Sequence, residues 1–255
     1  VGLYDELRLV PAATGIRLHC SGADLPTDST NLVCRAAELF FQKHRDLLHK
    51  DQQGVSLFLH KHIPVAAGLG GGSSDAAATL LGLNRLFRTG CSPETLASMG
   101  LQLGADVPFF LGRSSAVMAT GIGEILDPIA PLVDCRILLV NPGFSVSTRW
   151  VYQTFALTEK ISSGTLSNFQ EDVVSAKAAD RSEPLVNDLE RVTLKEFPDL
   201  GQLKAEMLAQ GAEMSLMSGS GPTVFGVFRD QQRAQAANDF FHRQYAHTFL
   251  VDPIA

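Results

Sequence analysis

Pro64-Val65-Ala66-Ala67-Gly68-Leu69-Gly70-Gly71-Gly72-Ser73-Ser74 is the stretch on which the reading of this chain turns. Just before it, Val55, Leu57 and Leu59 recur at every second position, which predicts a strand over Val55–Lys61. Just after it, Ala77, Leu80, Leu81 and Asn84 to Phe87 carry a helix. Ser73 or Ser74 is expected to cap that helix, with Asp75 in its first turn. Glycines let the backbone approach an anion and take positive φ. A helix start adds unpaired N–H groups and the positive end of the dipole. A strand that runs into such a loop and a helix that leaves it therefore predict a phosphate cradle. A flexible linker would not sit between two elements this well patterned. The Walker spacing Gly-x-x-x-x-Gly-Lys-Ser/Thr fails, because no Lys follows the glycines. The dinucleotide spacing Gly-x-Gly-x-x-Gly fails from Gly68, where Ser73 takes the third place, and from Gly70, where Asp75 does.

Upstream, Glu6–Val10 and Gly15–Cys20 read as strands joined by a turn at Pro11–Gly15. Thr30 or Asn31 caps a helix through about Leu48, and Gln52-Gln53-Gly54 ends it. Downstream, Ser92-Pro93-Glu94 opens a helix that Gly104 closes. Asp106 can cap a short helix with Pro108 in its first turn. Ser115–Thr120 and Glu124–Leu126 read as strands split by Gly121-Ile122-Gly123. The second half begins with a strand at Arg136–Val140 and a helix from Ser147 to Phe155. A polar loop follows at 158–182, then helices at Leu185–Glu196 and Leu200–Gln210. Strands at Met214–Met217 and Thr223–Phe228, a helix at Gln231–Tyr245 and a strand at Thr248–Val251 complete it. That order is the one of a split βαβ, ferredoxin-like unit. The expectation is an α+β protein of two halves, 1–130 and 131–255.

Composition narrows the function. The chain has 255 residues and a net charge of −6, with no run of Lys or Arg. This argues against a nucleic-acid or anionic-membrane partner. The longest aliphatic run, Ile137-Leu138-Leu139-Val140, is far short of the roughly 18–20 apolar residues of a membrane span. Cys20, Cys34, Cys91 and Cys135 contain no Cys-x-x-Cys pair, so they read as buried thiols of a reducing compartment. His60 and His62 share one strand face without a third ligand, and His44 and His49 are off the helical register, so no metal site is expected.

Three segments resemble the GHMP kinases. Pro64 to Ser74 is similar to their ATP-binding signature. Leu103-Gly104-Ala105-Asp106-Val107-Pro108-Phe109-Phe110-Leu111 resembles the segment that carries the catalytic aspartate in one branch, that of the non-mevalonate isoprenoid pathway. Met217-Ser218-Gly219-Ser220-Gly221-Pro222-Thr223-Val224-Phe225-Gly226 is similar to the family's C-terminal Gly-rich motif. Weaker echoes are Lys61-His62-Ile63-Pro64, Gly121 to Glu124, Val146-Ser147-Thr148 and Asn187-Asp188-Leu189-Glu190.

The resemblance implies a two-domain GHMP kinase fold, with a ribosomal-protein-S5-like N-terminal half and a ferredoxin-like C-terminal half. It implies ATP and Mg²⁺, and phosphorylation of the 2-hydroxyl of 4-diphosphocytidyl-2-C-methyl-D-erythritol. Asp106 would accept the proton of the attacking hydroxyl; beside the apolar Val107–Phe110 its pKa is expected to be raised. Residues 64–74 would hold the β- and γ-phosphates, with Gly219, Ser220 and Gly221 closing against them. Thr148 would touch substrate, whereas Trp150 would serve packing. The resemblance leaves open a bacterial cytoplasmic or plastid location and a monomer or homodimer.

One departure bears on activity. The family's first motif, which supplies a Lys, an Asn and a Tyr-His pair, is absent from residues 1–20. Arg8 and Arg17 are the cations there and read as solvated. The chain as given is expected to be a weak or inactive kinase with an open sheet edge. The competing readings are another GHMP small-molecule kinase and a non-catalytic nucleotide-binding relative.

Overall fold

The computed structural model describes residues 1–49, 52–121, 123, 125–158 and 185–254. The polar loop expected at 158–182 therefore lies, beyond Thr158, outside the described residues, as do Ile122 and Glu124 of the expected strand pair. The chain divides into two compact units. One comprises Val1–Val65, Gly70–Asp134 and Asp252–Ala255; the other comprises Ala66–Leu69 and Cys135–Val251.

The first unit is built on a sheet of strands β1 (Glu6–Ala12), β2 (Thr14–Ser21) and β3 (Gln53–His60). The first two are sequence neighbours but do not pair. β3 lies between them, antiparallel to β1 and parallel to β2. The expected turn at Pro11–Gly15 shrinks to Ala13, and the start of β3 slots inside it, with Gln53 N–H donating to Ala13 O at 3.1 Å. Gly54 makes this possible, because a Cβ there would lie 2.3 Å from the Thr14 carbonyl carbon. Pro11 stays in the ladder because β1 is an edge strand within this sheet.

Helices cover one face of the sheet. Helix α1 (Leu32–His44) is capped by Asn31, whose side chain accepts from Val33 N–H at 2.9 Å. It ends short of Leu48, in a 3₁₀ turn at Arg45–Leu47. Helix α2 (Gly71–Phe87) lies against it. Phe40 of α1 and Leu80 and Leu83 of α2 pack with Val55, Leu57 and Leu59 into a buried core. The other face keeps the alternate side chains. There Arg8 is not merely solvated: its guanidinium lies 4.3 Å over the Phe58 ring, on which His19 stacks at 4.8 Å. The unit continues through α3 (Pro93–Leu103), capped by Ser92, α4 (Val107–Leu111) and the hairpin β4 (Val117–Thr120) and β5 (Ile125–Pro128).

The second unit is a four-stranded antiparallel sheet with helices. Its strands are β6 (Arg136–Asn141), β7 (Met214–Met217), β8 (Val224–Phe228) and β9 (His247–Val251), in the spatial order β7-β8-β6-β9. That is the ferredoxin-like arrangement expected from the element order. Its helices are α5 (Thr148–Thr158), α6 (Glu190–Glu196), α7 (Asp199–Ala209) and α8 (Gln231–His242). Leu138, Leu203, Met207, Phe228 and Phe241 form its core. Two expectations shorten here. Leu185–Leu189 is not helical, and α8 stops at His242 rather than Tyr245. Among the described residues no helix is long and apolar enough to cross a membrane.

Candidate active site

The glycines decide where α2 begins. The expected cap at Ser73 or Ser74 is not found. Gly70 holds the cap position with φ of 69°, and the helix starts at Gly71. A left-handed residue suits glycine, and a Cβ at Gly70 would lie 2.8 Å from Phe110 Cζ. Both serines therefore fall in the first turn, where Ser74 Oγ donates to Gly71 O at 2.8 Å. The hydroxyl of Ser73 makes no hydrogen bond among the described residues. Ser74 N–H donates to Gly70 O, while Gly70 brings no side chain to the N–H groups of Gly71, Gly72 and Ser73. The positive end of a 17-residue helix is left open to an anion.

The middle of the loop, Ala66–Leu69, is packed on the C-terminal Gly-rich turn. Ser218 Oγ donates to Gly68 O at 2.8 Å, and Thr223 N–H donates to Ala67 O at 3.3 Å. Gly68 has φ of 74°, and a Cβ there would lie 2.2 Å from Ser218 O and 3.0 Å from Gly221 O. Gly68 thus meets the turn in which the sequence placed Gly219, Ser220 and Gly221. The turn is itself clasped. Asn187 Nδ2 donates to Met217 O and Gly219 O, both at 2.8 Å. Glu190 accepts from Met217 N–H at 2.7 Å and pairs with Lys204. Thr148, the expected substrate contact, is exposed on the first turn of α5, and its hydroxyl lies 2.9 Å from the hydroxyl of Ser220. Trp150 packs edge-on against Phe197, as a packing residue should.

A buried ionic brace holds the outer ends of the loop. Lys61 Nζ pairs with Asp5 and with Asp75, the latter at 2.8 Å, and all three side chains are almost wholly buried. Asp5 also accepts from the N–H groups of His62 and Ile63, at 2.6 and 2.9 Å, just before the loop begins. Asp75 sits just inside α2, where the loop ends. Two carboxylates face one ammonium. Burial accordingly pushes the Asp75 carboxyl up to about 6, against the opposing pull of Lys61.

Asp106 stands at the N-terminus of α4 but does not cap it; its side chain makes no capping bond. The carboxylate is exposed, so the apolar wall expected to desolvate it does not enclose it. No group of three or more His, Cys, Asp or Glu side chains that could hold a metal occurs among the described residues.

Sequence reasoning missed the brace and the clasp. Lys61 and Asp75 bracket an uncharged run apart from His62, and such a lone opposite-charge pair was the available signal. Asn187 and Glu190 had been noted only as an echo.

An uncapped helix start behind a glycine loop is a setting that suits a phosphoryl group. The family model described as "GHMP kinases N terminal domain" matches residues 31–114, and "GHMP kinases C terminal" matches 168–247. The chain belongs to the GHMP kinase family. Among its relatives, the 4-diphosphocytidyl-2-C-methyl-D-erythritol kinase of Syntrophotalea carbinolica is 42% identical over 256 residues, covering 100% of this chain and 88% of that protein. A crystal structure of 4-(cytidine 5'-diphospho)-2C-methyl-D-erythritol kinase matches with a TM-score of 0.73 and 32% identity over 96% of this chain and 84% of that one. The homoserine kinase of Cytophaga hutchinsonii matches with a TM-score of 0.73 over 98% of this chain and 86% of that one; at 18% identity it supports the fold alone.

Proposed function

We propose that the protein to which this chain belongs transfers the γ-phosphoryl group of ATP to the 2-hydroxyl of 4-diphosphocytidyl-2-C-methyl-D-erythritol. The observation that carries the reading is the open start of α2, where Gly70 turns the chain and leaves the first N–H groups without a side-chain cap. Phosphoryl transfer asks little covalent chemistry of a protein; positioning and charge stabilisation dominate. The N–H groups of Gly71–Ser73 and the helix dipole supply the second, and the bracing of the loop by Lys61 and Asp5 supplies the first. Residues 64–74 form the nucleotide loop in this reading, with Gly219, Ser220 and Gly221 buttressing it.

Asp106 is the general base. Its carboxylate is left free by the missing cap, so it is available to take the hydroxyl proton as the oxygen attacks phosphorus and the bond to ADP breaks. Thr148 is the substrate contact in this reading, its hydroxyl hydrogen-bonded to that of Ser220. Mg²⁺ fits as an ion carried mainly by the phosphates, which needs few protein ligands. The Ser73 hydroxyl, which makes no hydrogen bond among the described residues, is the group that would meet it, and its chemistry would be to neutralise charge on the β- and γ-oxygens.

The test uses the protein expressed from its complete reading frame, ATP and the diphosphocytidyl substrate. Product is followed by mass spectrometry for the gain of one phosphoryl group. Asp106→Asn is expected to lower kcat by roughly 10²–10⁴-fold while calorimetry shows ATP binding unchanged. A variant with near-native kcat would remove Asp106 from the chemistry. Absence of product from the unaltered protein would overturn the substrate assignment.

A further inference from the structure

Cys91 and His44 form a side-chain pair away from the phosphate loop. Cys91 follows α2, and His44 is the last residue of α1. Cys91 Sγ lies 3.0 Å from His44 Nε2. The other ring nitrogen, Nδ1, lies 2.8 Å from Phe40 O. A carbonyl oxygen only accepts, so Nδ1 carries a hydrogen and donates it. In the neutral ring that leaves the lone pair of Nε2 facing the sulfur.

Both partners are held. His44 is buried, its ring tilted against Phe40 with centroids 4.5 Å apart. Asn84 docks on the Cys91 backbone, accepting from its N–H at 3.0 Å and donating to its carbonyl at 3.1 Å. The Thr89 hydroxyl donates to Asn84 Oδ1 at 2.8 Å and lies 3.3 Å from the sulfur. A thiol, a base and a group that orients the base are thus in line. The setting suits charge separation as well. His44 ends a helix, where a cation is favoured, and Cys91 immediately precedes Ser92, the cap of α3, where an anion is favoured.

We propose that Cys91 is the reactive thiol of this chain, with His44 as its base, and that soft electrophiles and peroxides modify the protein there. With iodoacetamide, the S–H proton passes to His44 Nε2, the C–S bond forms, and the C–I bond breaks to release iodide. With hydrogen peroxide, the S–O bond forms as the O–O bond breaks. Sulfur is oxidised by two electrons to the sulfenic acid, and the departing hydroxide takes the proton from His44 and leaves as water.

The other thiols are placed differently. Burial pushes the Cys34 thiol up to about 11 and also raises that of Cys20, which is partly exposed; Cys135 is buried. None of the four is in a disulfide.

The native chain is treated with limiting iodoacetamide at pH 7, and alkylation of each cysteine is followed by peptide mass spectrometry. Cys91 is expected to react about tenfold faster than Cys20, because His44 Nε2 stands 3.0 Å from its sulfur to take the proton as the C–S bond forms. His44→Gln is expected to bring Cys91 down to the rate of Cys20. Equal rates in the native chain overturn the proposal. So does a Cys91 rate unchanged by His44→Gln, because exposure alone would then explain it. The native comparison decides even where the variant does not fold. With hydrogen peroxide, dimedone should label Cys91 first; label appearing first at Cys20 counts against the pair.

Discussion

Asp75 shows how a single buried carboxyl can set a pH dependence. Its pKa is about 6 in the folded chain against an ordinary value of 3.8, because burial disfavours its charge more than Lys61 favours it. The folded state therefore binds a proton that the unfolded state has already released between those two values. Stability contributed at this residue is present at acid pH and is lost as pH rises toward 6. Asp75→Asn removes the titration. The prediction is that the unfolding free energy of the native chain, from urea titrations, falls between pH 5 and pH 7 relative to that of the variant by on the order of 1 kcal/mol. Parallel pH profiles for the two proteins would show that Asp75 is ionised throughout. The comparison concerns the slope, since swapping one partner of a buried ionic cluster can shift absolute stability in either direction. The same brace gives a role to a lysine that cannot reach solvent: Lys61 ties together the two ends of the glycine loop.

At the scale of elements, the turn between β7 and β8 depends on a residue from another segment. Asn187 satisfies two of its carbonyls, and Oδ1 of the same side chain accepts from Leu189 N–H at 3.1 Å. Asn187→Ala is expected to cost about 1–3 kcal/mol, the usual range for groups that lose a partner in a half-buried site. Because Gly68 of the glycine loop rests on this turn, the proposed nucleotide role of that loop makes KM for ATP rise more than kcat falls. Steady-state kinetics beside a denaturation curve would check both; an unchanged KM would separate the clasp from the loop.

What was legible in the sequence follows from how local each signal is. Asn31 and Ser92 were readable as caps because capping is settled within three residues. The start of α2 was misread for a physical reason: serine is a good cap, but Gly70 adopts a left-handed conformation that ends the loop sooner. Leu185–Leu189 has apolar residues at helical spacing, yet Asn187 spends its hydrogen bonds on the distant turn. The insertion of β3 between β1 and β2 could not be read at all. It rests on pairing between residues far apart in sequence, from Thr14 with Gln53 to Glu6 with His60, and on the space left by Gly54. The exposed setting of Asp106 was not legible, because the apolar Val107–Phe110 beside it turns inward at Val107 and Pro108 without enclosing the carboxylate.

For the molecule as a whole, the last strand finishes what the middle of the chain begins. β6 is the most deeply buried strand of the second unit, with Leu138 and Val140 fully enclosed, and β9 pairs along it from Ile137 to Asn141. The residue after β9, Asp252, accepts from Gly2 N–H at 2.9 Å within the first unit. Removing residues 246–255 would therefore strip β6 of a full ladder and the first unit of that bond. An apolar strand left with one row of unpaired N–H and C=O groups is a template for other chains. The truncated protein is expected to elute from size-exclusion columns as aggregate and to lose its cooperative thermal transition. Val251→Ala, which keeps the ladder and empties one buried side chain, should elute as the native protein does and lose roughly 1–3 kcal/mol. A truncation that kept the native elution volume and melting temperature would show that β9 only decorates a sheet already complete without it.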